Sequence, residues 1–110
     1  MSSERLRPDD DYSVTVVLSS CNRAKSLNET LEDLACQRVS VSWRVVAVDN
    51  ASTDHTSVVL ERYARDSRFI LDALYEPLAG KPRALNRALE AITADLVVFI
   101  DDDVNLGPRW

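Results

Sequence analysis

The sequence predicts an α/β domain with a mainly parallel sheet and helices on both faces, in the order βαβαβαβ. Three observations lead there. Four short runs, "SVTVVL", "WRVVAV", "FILDAL" and "DLVVFI", are dense in β-branched and apolar residues, the pattern of strands buried on both faces. The segments between them carry apolar residues at helical spacing over about three turns. Each connection back into a strand is polar or rich in turn-forming residues, so the apolar elements are punctuated regularly.

The first strand covers residues 13 to 18 and breaks at "SSCNR". In the helix that follows, Ser26 and Glu29 have the spacing of a capping box, and Leu27, Leu31, Leu34 and Ala35 form one apolar face. The second strand, 43 to 48, closes in a turn-rich loop from Asp49 to Thr53. Ser52, Thr53 or Asp54 can cap the next helix, which turns Val59, Leu60 and Tyr63 inward. "FILDAL" is the third strand. Pro82 suits the first turn of the third helix, whose buried stripe is Leu85, Ala88, Leu89 and Ile92. "DLVVFI" is the fourth strand.

With 110 residues, of which 45% are hydrophobic and 28% charged, the chain suffices for one core. A net charge of −5 argues against nucleic acid or an anionic membrane as the main partner. Cys21 and Cys36 have no companion Cys or His at ligand spacing and read as reduced thiols of a cytoplasmic protein. Residues 1–12 form a polar extension without the apolar core of a signal peptide, and no run approaches the length of a membrane span.

Parallel strands bring their C-terminal ends to one edge of the sheet, and the polar motifs follow those ends: "SSCNR", then Asp49 and Asn50, then Asp101, Asp102 and Asp103. If the fourth strand lies beside the first, the connections diverge and leave a crevice there. While extended geometry persists, Asp101 and Asp103 project to one side and Asp102 to the other. Two carboxylates sharing one space repel, and hard oxygen ligands of this kind suit Mg²⁺ or Mn²⁺. A strand that has simply reached solvent would look the same.

The segments "VTVVLSSCNRAKSLNETLEDLACQ", "VVAVDNASTDHT" and "GKPRALNRALEAITADLVVFIDDDV" resemble, in order and spacing, the family 2 glycosyltransferases of the GT-A fold. The resemblance implies a metal-dependent enzyme that moves a sugar from a nucleotide-diphosphate sugar to an acceptor hydroxyl. It matches Asp49 to the aspartate that contacts the nucleotide base, Asp101 and Asp103 to the outer members of a DxD motif that meet ribose and metal, and Asp102 to the variable middle position. Lys81 and Asn86 match a GKxxALN pattern. Lys81, at a helix N-terminus after a glycine, is a candidate anion or hydroxyl contact, though the run lacks the glycines and following Ser/Thr of a P-loop.

The first loop departs from the family. Where many relatives have Pro-Thr-Tyr-Asn-Arg, this chain has Ser19, Ser20, Cys21, Asn22 and Arg23, which removes an aromatic for base stacking and leaves backbone groups of Ser20 and Cys21 as donor contacts. Arg23 is a candidate phosphate contact or a surface charge, and His55 an exposed first-turn residue.

The resemblance further implies that residues 13–110 are the nucleotide-sugar-binding half of a GT-A domain, truncated after the DxD strand. The general base and acceptor-binding half would lie beyond Trp110, and the surface left bare could favour self-association. Two other readings stay open: a haloacid dehalogenase-like phosphatase, with Asp101 as nucleophile and Asp103 as acid/base, and a non-catalytic Rossmann-like binding module.

Overall fold

The computed structural model describes residues 14–37, 42–66, 68–90, 92 and 96–102. Residues 1–12 and Asp103 lie outside the described residues. The chain runs β1 (Val14–Ser20), α1 (Ala24–Ala35), β2 (Trp43–Asn50), α2 (Thr56–Ala64), β3 (Leu71–Glu76), α3 (Lys81–Leu89) and β4 (Leu96–Phe99). The strands form a four-stranded sheet in the order β3-β2-β1-β4, with every pair parallel. The fourth strand does lie beside the first.

Alternation along the strands divides the core into two layers. Val16, Leu18, Val45, Ala47 and Leu71 pack with Leu27, Leu31 and Leu34 of α1 and Val59, Leu60 and Tyr63 of α2. Val17, Val46, Val48 and Leu74 meet Ala84 and Ala88 of α3 on the other face. The two alanines, fully buried, let α3 lie close to the sheet. Leu89, expected in the stripe, is exposed instead, and the buried line passes through Ala84, Leu85 and Ala88.

Several boundaries differ from the sequence expectation. β1 and β2 each continue two residues further, so that Ser20 pairs with Asp49 and Asn50 with Glu76 as the last rungs of the ladder. β3 starts two residues later than "FILDAL" suggests, because Phe69 is drawn into the core against Trp43 and Tyr63 before pairing begins. β4 is an edge strand whose Leu96 and Phe99 are exposed.

Helix α1 begins before Ser26, which therefore does not cap it. The cap comes from another part of the chain: Asp54 accepts the Ala24 N–H through Oδ2 at 3.2 Å and the Thr56 N–H through Oδ1 at 2.9 Å. One carboxylate thus serves the first turns of both α1 and α2. The Thr56 hydroxyl, which also donates to Oδ1, does most to keep the Asp54 carboxyl below the usual range.

Arg44 is 1% exposed, and its guanidinium reaches Asp72 Oδ2 at 3.5 Å and Thr15 Oγ1 at 3.4 Å, joining three neighbouring strands. A second ionic cluster ties α1 to the segment after α2. Arg68 bonds both oxygens of Glu32 at 2.7 and 2.9 Å, and the Tyr63 hydroxyl donates to Glu32 Oε1 at 2.9 Å. The Arg68 bond, then the Tyr63 bond, hold the Glu32 carboxyl at about 2, while burial and then Glu32 push the Tyr63 hydroxyl up to about 12. Because the folded-state value of Glu32 is depressed from 4.5, its stabilisation is complete above the ordinary carboxylate range and is lost as pH falls from about 4.5 towards about 2. Glu32→Gln is expected to flatten the dependence of the urea midpoint on pH within that window; an unchanged slope would refute the assignment.

Candidate functional site

The connections diverge between β1 and β4. From β1 the chain leaves through α1 towards β2, whereas it reaches β4 from α3 on the opposite face. The edge at the strand C-termini therefore opens at this switch point. A cleft of about 490 Å³ lies there, within the range of small-molecule sites. Its walls are Ser19, Ser20, Cys21 and Arg23 after β1, Gly80 and Lys81 at the start of α3, and Asp101 and Asp102 after β4, with Asn50 of β2 completing the lining.

Two asparagines hold the loops in place. Asn22 has a positive φ of 55°, a conformation its short polar side chain tolerates. Its Oδ1 accepts the N–H groups of Thr53 at 2.7 Å and Asp54 at 3.2 Å, while its own N–H donates to Ser52 Oγ at 3.0 Å. The β1–α1 loop is thereby fastened to the β2–α2 loop. Asn50 donates through Nδ2 to the carbonyls of Glu76 at 3.3 Å and Leu78 at 2.8 Å, and its Oδ1 accepts the Gly80 N–H at 2.9 Å. Gly80 sits at φ 131°, and a Cβ there would meet only the Arg83 side chain at ordinary van der Waals distance, so backbone conformation is what calls for glycine here. Asn50 thus fixes the entry to α3 and with it Lys81.

Lys81 Nζ lies 2.6 Å from Asp101 Oδ1, both side chains more than half exposed. The Lys81 hydrogen bond and its charge, with a smaller contribution from Arg23, keep the Asp101 carboxyl below the usual range. Asp102 is only 8% exposed. Its carbonyl accepts the Thr30 hydroxyl at 3.1 Å, so α1 braces the acidic stretch from beneath. Ser20 is 2% exposed, and its Oγ finds no hydrogen-bond partner among the described residues.

The structure therefore gathers Ser20, Cys21, Lys81, Asp101 and Asp102 around one cleft. Asp49, the penultimate residue of β2, stands on the same rim, paired with Ser20, but lines a separate cavity of about 400 Å³ between α2 and β3. Its Oδ1 accepts the Ser52 N–H at 3.1 Å, closing the turn that carries Ala51 at φ 59°. Asn86 is exposed on α3 and outside the cleft lining, and His55 is exposed at the start of α2. Sequence reasoning gave no part to Thr30 or to the bracing by Asn22 and Asn50. Thr30 carried a signal, a polar residue adjoining the apolar stripe of α1.

Among the described residues no group of three or more His, Cys, Asp or Glu side chains gathers as a metal site. Asp101 supplies hard oxygens beside the cleft, a ligand type that suits Mg²⁺ or Mn²⁺ when phosphate oxygens and waters complete the shell.

The profile of glycosyl transferase family 2 matches residues 15–110. The chain belongs to that family. This glycosyltransferase domain is 27% identical, over 104 residues, to an undecaprenyl-phosphate 4-deoxy-4-formamido-L-arabinose transferase of Pectobacterium carotovorum, covering 92% of this chain and 32% of the relative. Among solved structures it resembles the mannosyltransferase PcManGT from Pyrobaculum calidifontis in complex with GDP-Man and Mn²⁺, with a TM-score of 0.77 and 33% identity over 86% of this chain and 28% of that one. It also resembles a portion of Staphylococcus aureus TarS in complex with UDP-GlcNAc, with a TM-score of 0.71 and 31% identity over 83% and 26%. The domain spans about a third or less of the length of these relatives. Nothing in these similarities supports the phosphatase reading. Among the described residues no helix of the domain is long and apolar enough to cross a membrane.

Proposed function

We propose that this domain binds the diphosphate of a nucleotide sugar in the cleft between β1 and β4 and forms the donor-binding half, residues 13–110, of an enzyme that transfers the sugar to an acceptor hydroxyl. The observation that carries the reading is the meeting of Lys81 and Asp101 in a cleft at the sheet's switch point. The complexes of the relatives with GDP-Man, Mn²⁺ and UDP-GlcNAc support it.

In this proposal Lys81 exchanges its bond with Asp101 for one to a phosphate oxygen, and Arg23 meets the same group. Backbone groups of Ser20 and Cys21 line the donor's path. Asp49, with one oxygen engaged by Ser52, offers the other to a ring N–H of the base. Asp101 and Asp103 would hold Mn²⁺ or Mg²⁺, and Asp102 borders the ribose. When bound, the ion stabilises negative charge on the departing diphosphate. Thr30, through the Asp102 carbonyl, keeps that acidic stretch in register. The reading assigns no general base to this chain. The free, exposed Cys21 and Cys36 suit a reducing, cytoplasmic setting, and the exposed Leu96 and Phe99 on β4 suit self-association.

Calorimetric titration with UDP, GDP and dTDP sugars, with and without Mn²⁺, tests the reading. The expected result is binding with a metal-dependent component that Asp101→Ala and Asp103→Ala abolish. Identical titrations for wild type and both variants would overturn it.

A further inference from the structure

Asp101 stands just past the point where the sheet stops holding the chain. The last rung between β4 and β1 pairs Phe99 with Val17, and beyond it the Ile100 N–H donates to the Val17 carbonyl at 3.0 Å. The next backbone anchor among the described residues comes from a helix. The Thr30 hydroxyl of α1 donates to the Asp102 carbonyl at 3.1 Å, across 72 residues of sequence. Asp101 is therefore bracketed by two long-range hydrogen bonds, although its side chain is more than half exposed.

Packing alone does not call for this hydroxyl. Thr30 is fully buried in α1 alongside the buried Leu27, Leu31 and Leu34, where a valine would have the same shape, and a buried hydroxyl costs stability unless it is bonded. The same helix also carries another part of the cleft wall. Arg23, which lines the cleft, is the residue before α1, and the Ala24 N–H is held by Asp54 Oδ2 at 3.2 Å. From Ala24 to Thr30 the axis advances about 9 Å. Helix α1 is thus a spacer between Arg23 and the acidic stretch, clamped at one end by Asp54 and joined at the other through Thr30.

We infer that Thr30 is a positioning residue for metal-dependent donor binding: its hydroxyl, by fixing the Asp102 carbonyl, sets where the Asp101 carboxylate stands in the cleft relative to Arg23. The inference rests on the donor-binding reading above. Being fully buried, Thr30 itself touches neither donor nor metal. A small divalent cation shared by a carboxylate and a diphosphate tolerates little displacement of its ligands, and groups that orient metal ligands carry about 10- to 100-fold of metal affinity. An acidic stretch freed from α1 still leaves the nucleotide its contacts with Ser20, Cys21 and Lys81. The loss therefore falls on the metal-dependent part of binding.

The test compares the full chain with Thr30→Val, which keeps the shape and removes the hydrogen-bond donor, and with Thr30→Ser, which keeps it. Each is titrated calorimetrically with UDP, GDP and dTDP, in EDTA and over a range of Mn²⁺ concentrations. In Thr30→Val the Mn²⁺ concentration for half-maximal binding is expected to rise about tenfold or more, while any affinity in EDTA stays within about twofold, and Thr30→Ser is expected to recover most of the loss. Hydrogen exchange at the Asp102 amide is expected to quicken in Thr30→Val while the amides of β1 stay as they were. Should Thr30→Val fail to fold, Thr30→Cys, a weak donor close to serine in size, is compared with Thr30→Ser under the same expectations. If Thr30→Val binds as the wild type does, or weakens with no change in its Mn²⁺ requirement, the residue is an ordinary structural one: the inference fails and the donor-binding reading stands. If the wild-type chain binds none of the nucleotides, or binds them without regard to Mn²⁺, the donor-binding reading fails and takes the inference with it.

Discussion

Asn50→Ala is expected to destabilise the domain by about 3 kcal/mol, taking each of three lost hydrogen bonds at about 1 kcal/mol. The side chain is 4% exposed and bonds the carbonyls of Glu76 and Leu78 and the N–H of Gly80. Alanine would leave these backbone groups without their partner at the point where the chain turns into α3. The loss shows as a lower urea midpoint and as faster hydrogen exchange at the Gly80 amide. Because Lys81 follows Gly80 directly, nucleotide-sugar affinity is expected to fall about tenfold, the equivalent of about 1.4 kcal/mol. Asn50→Asp keeps an acceptor for Gly80 but sets a carboxylate against two carbonyl oxygens, so it does not rescue. Asn86→Ala, on the exposed side of α3, is expected to change stability by less than about 0.5 kcal/mol. Unaltered exchange at Gly80 in Asn50→Ala would refute the bracing role.

Lys81→Met is expected to weaken nucleotide-sugar binding about 10- to 100-fold, the scale of one hydrogen bond to a charged group at about 1.5–3 kcal/mol. It removes the ammonium group that now lies 2.6 Å from Asp101 while keeping an unbranched stem that packs at the start of α3. Global stability should change little, because the pair is exposed and solvent screens it. A second readout separates lost charge from lost packing. Lys81 is the main cause of the depressed Asp101 carboxyl, so in the variant Asp101 takes up its proton at a higher pH than in the wild type. Metal-dependent binding should therefore fail earlier as the solution is acidified. Lys81→Arg restores the charge and should recover both properties in part. Wild-type affinity in Lys81→Met would show that the residue is an ordinary surface cation.

Much of this arrangement was legible in the sequence because its cause is local. Runs such as "SVTVVL" and "WRVVAV" can only be buried on both faces, and the helical spacing of Leu27, Leu31 and Leu34 selects one face of α1 whatever it packs against. Parallel strands then force the ends of β1, β2 and β4 to one rim, which is why the acidic and polar motifs could be assigned a common edge. The elements that were displaced had causes far away in the chain. Ser26 has the spacing of a cap, yet Asp54, thirty residues beyond Ala24, already satisfies the start of α1. Ser20 and Asp49 resemble loop residues until the ladder between β1 and β2 pairs them.

The sequence by itself determined the element order, the burial of β1 and β2 and the clustering of polar groups at the strands' C-terminal ends, because these follow from side-chain periodicity and the direction of the chain. Only the tertiary structure decided that Lys81 meets Asp101, that Asn50 holds Gly80, that Thr30 holds the acidic stretch, and that Asp49 lines a different cavity from the cleft. Each of these depends on strand register and on which face of the sheet a connection crosses. Those are properties of pairs of distant segments, and no single stretch of sequence carries them.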